Sequence, residues 1–384
     1  MGPRVLGRSP GGSGAAVPHA PAPVHVWLLG SAGIRCSSSG LELYERTRRR
    51  RTMDLARELT DFLGAVEQRL GSTLVDGDAG PDVKGDTLME AARHLCLGSG
   101  SKRARPMLAR LFGGAVGVPA ERLVDVAVAA ELIHSASLLH DDVVDAGMFR
   151  RGRPTVNARW GNIVAVMSGD LILSTGLFQL SQLDARLTRS ALSVVSEMTR
   201  AAIAEVEARG DLDLPLNRLR FIAEGKTGSL FGWCGNAAAT LAEHPEAVER
   251  FDGFGRHLGV AFQIADDIRD ILGTDVGKPR YADVHSRTPS MPILLAVAKD
   301  ESLRRKLKDA WAFSAITPDR TKEIGAAIEA TGAVDASMAR MNVEIEAALD
   351  KLGHFAKEPA GAELVSWARK LSAGIAEQVQ GRAA

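Results

Sequence analysis

The sequence predicts an all-α protein, a single large bundle of about ten or more helices around a central apolar cavity. Three observations carry this expectation. From Met53 onward apolar residues recur at three- and four-residue spacing in segment after segment, and no window sustains the alternation of a strand. Aromatic residues are only 5% of the 384, and an Ala- and Leu-rich composition suits close-packed helices better than a β-sandwich. Several segments are Ala, Val and Leu on nearly all sides, as central buried helices are.

Residues 1–52 read differently. They carry GRSPGGSG, PHAPAPVH, a short apolar patch from Val24 to Gly30, and the basic run from Arg46 to Arg51. Such a stretch buries too little surface to order itself. It lacks the order of a secretory signal, because the basic cluster comes last. The expectation is an extension that is disordered or translated upstream of a working start at Met53, followed by one domain over 53–384. Helical periodicity begins there at Leu55, Leu59, Phe62, Leu63 and Val66.

The periodic segments then run Leu88–Leu97, Pro106–Val116, Arg122–His140, Asn162–Leu183, Arg189–Arg209, Asn217–Leu241, Ala247–Leu272 and Met291–Ala298. Four more follow at Leu303–Trp311, Thr321–Thr331, Asp335–Leu352 and Ala362–Val379. Breakers separate them, among them GSGS before Lys102, GVP at Gly117–Pro119, RRGRP at Arg150–Pro154 and DLDLP at Asp211–Pro215. No transmembrane segment is expected: the longest apolar run, Val124–Leu139, is interrupted by Asp125, Glu131 and His134 and falls short of roughly 20 residues. The 47 basic residues balance 47 acidic ones, which argues against a nucleic-acid binder. Cys36, Cys96 and Cys234 form neither a zinc spacing nor a disulfide framework.

Chemistry concentrates in two aspartate clusters, HDDVVD (His140–Asp145) and ADDIRD (Ala265–Asp270). Asp141 and Asp145 stand at i and i+4, about 6 Å apart on one helix face, and Asp266 and Asp270 repeat this on a second helix. Like charges at that spacing oppose the helix, so two such clusters at the ends of apolar helices invite a cation. Carboxylates without His or Cys suit Mg²⁺ or Mn²⁺, leaving coordination positions for water and a diphosphate. Lys102 and Arg105 in SKRARP fall at the start of a helix and form an anion site, and Arg150 and Arg151 follow the first aspartates. Taken alone, each basic turn reads as a solvated turn, one DDxxD as a solvated helix end, and His134 as a satisfied core histidine.

These segments resemble, in order, the motifs of the trans-isoprenyl diphosphate synthases, the polyprenyl synthetase family. LLHDDVVDAGMFRRGRPTV resembles the first aspartate-rich region, SKRARP the lysine-arginine segment before it, GKTGSL (Gly225–Leu230) a Lys-Thr motif, and GVAFQIADDIRD with GKPRYAD the second aspartate-rich region. The resemblance implies the isoprenoid synthase type of fold and a prenyltransferase that condenses isopentenyl diphosphate with an allylic prenyl diphosphate. Lys102, Arg105 and His134 would hold the isopentenyl diphosphate, with Arg151 assisting. Asp141, Asp142 and Asp145, with Asp266, Asp267 and Asp270, would hold the metal ions, and Arg150 would stand beside them. Lys226, Thr227 and Gln263 would line the reacting end of the allylic substrate, and Lys278 would contact its diphosphate. Asp141, Asp145, Lys226 and Asp266 would be the catalytic set. A homodimer in the cytoplasm, with peripheral membrane contact for product release, completes the expectation.

The chain departs from the pattern in two places. Ser101 stands for a glycine, and SRTPSMP (Ser286–Pro292) carries Thr288 where the family has lysine, with Arg287 its neighbour. Alternative readings are a non-catalytic partner subunit of a heteromeric synthase, or a class I terpene cyclase. The small residues Ala136 and Ser137, five and four positions before Asp141, leave a path open for a growing chain, so a product of C20 or longer is expected. Ala136→Phe should close it, and Leu173 or Phe178 of the facing helix could supply a floor.

Overall fold

Helices account for nearly all of the described structure. The computed structural model describes residues 38–75, 86–98, 100–274, 279–312 and 316–383, with side chains from Asp54 to Gly381. Residues 1–37, with Cys36 and the apolar patch, and Lys278 lie outside the described residues. The chain divides into Met1–Arg49, described as helical backbone from residue 38, and Arg50–Ala384.

In chain order the helices are α1 (Ser38–Thr73), α2 (Thr87–Cys96), α3 (Ala104–Ala115) and α4 (Ala120–Val144). A hairpin of β1 (Phe149–Arg150) and β2 (Arg153–Pro154) leads to α5 (Val156–Trp160), α6 (Asn162–Leu183), α7 (Ala185–Glu207) and α8 (Leu216–Ala223). A π-turn at Glu224–Gly228 joins α8 to α9 (Ser229–Leu241), and α10 (Pro245–Leu272) and α11 (Ala282–Ser286) follow. The chain ends in α12 (Met291–Lys299), α13 (Glu301–Ala312), α14 (Pro318–Ala330), α15 (Ala333–Leu352), a 3₁₀ turn at Gly353–Lys357, and α16 (Pro359–Ala383). The all-α expectation holds. Asn217–Leu241, which reads as one periodic segment, is instead broken by the π-turn, and RRGRP forms the hairpin, the one sheet among the described residues.

Local chemistry starts several helices. Asp86 accepts the Met89 N–H at 3.0 Å, and Thr155, Asp184 and Thr317 cap α5, α7 and α14 in the same way. Each such cap stabilises its helix by about 1 kcal/mol. Helix α4 runs through the core, with Leu123, Val126 to Ala130 and Leu132 fully buried. Phe112 of α3 packs on Phe251 and Phe254 of α10 with ring centroids 4.9 and 5.6 Å apart, and burying each such ring contributes about 1.5–3 kcal/mol.

One contact sets the geometry of the site. A Cβ on Gly259 of α10 would lie 2.3 Å from the Gly228 Cα, and one on Gly255 would lie 2.3 Å from the Gly232 nitrogen. Only glycine permits the two backbones to approach so closely, and this brings the π-turn against α10.

Helices α4 and α6 are each long and apolar enough to cross a membrane by length and composition. The reading of interrupted runs passed over α6. Burial in the core accounts for α4, 67% of whose apolar window is covered, whereas only 33% of that of α6 is covered. Ile163, Met167 and Phe178 of α6 are exposed.

Candidate active site

Three groups of side chains build the site, on α4 and its hairpin, on the π-turn, and on α10. The hairpin turns through Arg151 and Gly152, both at positive φ (52° and 73°), as a two-residue turn with this twist requires. It directs Arg150 back onto α4, where its Nε and a terminal nitrogen donate to Asp142 at 2.8–3.1 Å. Asp142 is buried and so engaged, while its neighbours Asp141 and Asp145 lie on a different face.

Asp141 meets the π-turn: its Oδ2 is 4.0 Å from Lys226 Nζ, which also pairs with Glu205 of α7. Burial raises the Asp141 pKa, against the pull of the Lys226 charge. Burial works the other way on Lys226, but Asp141 and Glu205 outweigh it and hold the ammonium above its usual range. Asp145 pairs with Arg209, just beyond the end of α7. π-Turns of this kind recur at functional sites because the extra residue re-aims the side chains around it.

From the π-turn a chain of contacts reaches the second cluster. Thr227 Oγ1 donates to Gln263 Oε1 at 3.4 Å, and Gln263 donates to Asp267 at 3.2 Å. Burial pushes the Asp267 carboxyl up to about 7, although the Met291 N–H donates to it at 3.0 Å. Asp270 accepts the N–H groups of Ala282 and Asp283 at the start of α11. Asp266, partly accessible, pairs with Arg269 at 2.6 Å. Asp267 and Asp270 thus brace the ends of neighbouring helices.

Two turns before Asp141, on nearly the same face of α4, His134 stands among several arginines. Arg105 is buried, its guanidinium 5.1 Å over the Phe231 ring, and its Nε has no hydrogen-bond partner. Burial lowers its pKa, as it does that of Arg151. His134 is pushed well below its usual value by burial first and by the charges of Arg105, Arg151, Arg150 and Arg103 next. It is therefore neutral and can donate a hydrogen bond without adding a cation. Lys102 is exposed and stands two residues ahead of α3 rather than on its first turn. A buried guanidinium with an orphaned N–H amid further arginines suits an anion or water as its partner.

Sequence reasoning missed four residues that hold this arrangement. Arg103, buried at φ +45°, donates to Glu67, Glu131 and the Cys96 carbonyl, and so fixes the loop carrying Lys102 and Arg105. Glu131 left a trace, as a lone acid on an apolar helix. Glu205 and Arg209 of the α7 segment left none. Of the floor candidates, Phe178 faces outward at 66% exposure, and Leu173 is half-buried. Ala136 lies on the stripe that α6 covers, since Gly176 abuts Leu132 and Ala129 and Gly169 abuts His140.

The carboxylates fit a hard divalent ion by donor chemistry. Among the described residues no three His, Cys, Asp or Glu side chains converge as a metal cluster.

Comparison with known proteins agrees with this fold. The family model for polyprenyl synthetase matches residues 86–328. The chain is 35% identical to "Heptaprenyl diphosphate synthase component 2" of Geobacillus stearothermophilus over 302 residues, 77% of this chain and 90% of that one. It is 31% identical to "All-trans-nonaprenyl-diphosphate synthase (geranyl-diphosphate specific)" of Rhodobacter capsulatus, over 76% of this chain and 90% of that one. The solved structure of a decaprenyl diphosphate synthase from Rhodobacter capsulatus superposes with a TM-score of 0.76 at 26% identity, covering 84% of this chain and 98% of that one. The chain belongs to the polyprenyl synthetase family.

Proposed function

We propose that the chain is a Mg²⁺-dependent synthase that condenses isopentenyl diphosphate with an allylic prenyl diphosphate to a trans-polyprenyl diphosphate of C20 or longer. The observation that carries this reading is the cluster of buried Arg105, exposed Arg151 and neutral His134, the last on the helix that ends in Asp141 and Asp145. The surroundings of α4 thus offer a basic holder for one diphosphate and an acidic site for another. A terpene cyclase needs no second diphosphate pocket.

Arg105, with Arg151 and His134, holds isopentenyl diphosphate, and Lys102 meets it from the rim. Asp141, Asp145 and Asp266 would hold Mg²⁺, which neutralises charge on the leaving diphosphate. Lys226, charged and next to Asp141, stands where it stabilises that developing charge. The Thr227 hydroxyl and the Gln263 carboxamide form a polar wall without charge, which faces an allylic cation without capturing it. The apolar residues of α4 exclude water, which would otherwise quench that cation. Attack by the isopentenyl double bond and loss of a proton to the released diphosphate complete the step.

Small Ser137 supports the long product. On a helix it lies about 40° from Asp141, whereas Ala136 lies about 140° away. The exposed apolar face of α6 supports a homodimer. Cys96 and Cys234, buried and unpaired, suit a reducing cytoplasm. The test is diphosphate release with both substrates and Mg²⁺: EDTA and Asp266→Ala should each abolish it, and release undiminished by EDTA would contradict the metal assignment. Light scattering at twice 40.8 kDa would support the dimer, and a monomer would oppose it.

A further inference from the structure

Beyond the end of α7 the chain turns through Arg209 and Gly210, and two contacts fix it. The Gly210 N–H donates to the Arg287 carbonyl at 2.8 Å, and Arg209 pairs with Asp145. The Arg209 Nε is buried without a hydrogen-bond partner. Beside this turn opens a cleft of about 620 Å³ lined by Arg209, Ser286, Arg287, Lys308 and Trp311. No carboxylate is among its described lining residues.

The cleft is held in shape. Arg287 sits at φ +61°, a conformation unfavourable for a residue with a Cβ. Gly210 on its carbonyl, together with the Thr288 N–H on the Asp283 carbonyl at 2.9 Å, keeps it there. The Trp311 indole N–H donates to the Val284 carbonyl at 2.9 Å, so the ring is anchored as a wall. Three cations from the α7 turn, the α11 exit and α13 thus share one opening. The Arg and Lys donors that line it suit phosphate oxygens.

We propose that this cleft binds inorganic diphosphate, with Arg209 exchanging its Asp145 partner for the anion. Arg209 touches both the first aspartate cluster and the cleft, so diphosphate leaving the aspartates meets this basic surface next. The origin of that diphosphate rests on the proposed reaction, whereas the binding itself does not.

The test is calorimetric titration of inorganic diphosphate into the full chain in EDTA, so that metal-bridged binding is absent. Arg209→Gln and Lys308→Gln should each weaken binding about tenfold, the scale of one charge-assisted hydrogen bond. Lys306→Gln, on the same helix but paired with Glu323, should leave it unchanged. Wild-type affinity in both variants, or equal loss in Lys306→Gln, would overturn the site. Should Arg209→Gln fail to fold, exposed Lys308 carries the test alone. A parallel titration with geranyl diphosphate separates the sources: tighter binding of that ligand, lost in the same variants, would make the occupant a substrate head group and overturn the assignment to released diphosphate. Elongation by the wild type reads the proposed reaction independently, since its absence with intact cleft binding would refute that reaction and leave the cleft.

Discussion

Arg150 grips Asp142 with hydrogen bonds of 2.8–3.1 Å, on a helix where Asp141 and Asp145 engage Lys226 and Arg209 instead. The three aspartates of the first cluster therefore do different work. The middle one anchors the hairpin that carries Arg150 and Arg151, and the outer two meet the π-turn and the turn after α7.

Asp142→Ala should lower the melting temperature by several degrees, because it leaves Arg150 without its buried partner. Its Mg²⁺ half-saturation should stay within about twofold of wild type, whereas Asp141→Ala should lose about 10²-fold in turnover, the scale of one key electrostatic stabiliser. Melting curves and Mg²⁺ titrations measure both. An equal rise in Mg²⁺ requirement for the two variants would place Asp142 among the metal ligands.

Arg103→Met should cost about 3–5 kcal/mol in denaturant unfolding, since Glu131, 3% exposed, loses its buried partner. Adding Glu131→Leu should recover most of that loss, because replacing both members of a buried pair removes the uncompensated charge. A double variant no more stable than the single one would show that Arg103 acts through Glu67 or the Cys96 carbonyl instead.

These two cases show what the sequence could and could not say. The bundle was legible because each helix writes its buried face at a 3.6-residue period. The aspartate and arginine motifs were legible because their chemistry is local. The choice of Asp142 over Asp141 by Arg150 was not, since it depends on where an eight-residue excursion through a hairpin returns. The π-turn was hidden because apolar spacing reads through one inserted residue, with Gly225 and Gly228 as its only marks. Arg209 and Asp145 lie 64 positions apart, and nothing in either segment names the other.

Glu344 of α15 gives a pH-dependent prediction. Burial opposes its charge, but hydrogen bonds from His257 and Arg220 outweigh this and hold its pKa below the usual carboxylate range. With the folded value depressed, its contribution is complete above the unfolded pKa and fades as pH falls through the folded one. Glu344→Gln should thus melt several degrees below wild type at pH 7, and the gap should narrow as pH drops below about 4. A gap independent of pH would mean that packing, not charge, holds these helices together.

Ser137→Phe should shorten the product ladder on reversed-phase chromatography, because that position shares the face of Asp141. Ala136→Phe, wedged under α6, should instead lose about 1–3 kcal/mol of stability through overpacking. A ladder shortened by Ala136→Phe and left unchanged by Ser137→Phe would move the path to the α4–α6 seam.

The most direct measurement of the central claim is chain growth by this polypeptide alone. Purified protein is incubated with Mg²⁺, isopentenyl diphosphate and geranyl or farnesyl diphosphate in turn, and the dephosphorylated products are sized. The account predicts linear all-trans prenols of C20 or longer, lost on chelation of the metal. No growth without a second polypeptide, or a cyclised hydrocarbon from the allylic substrate alone, would contradict it.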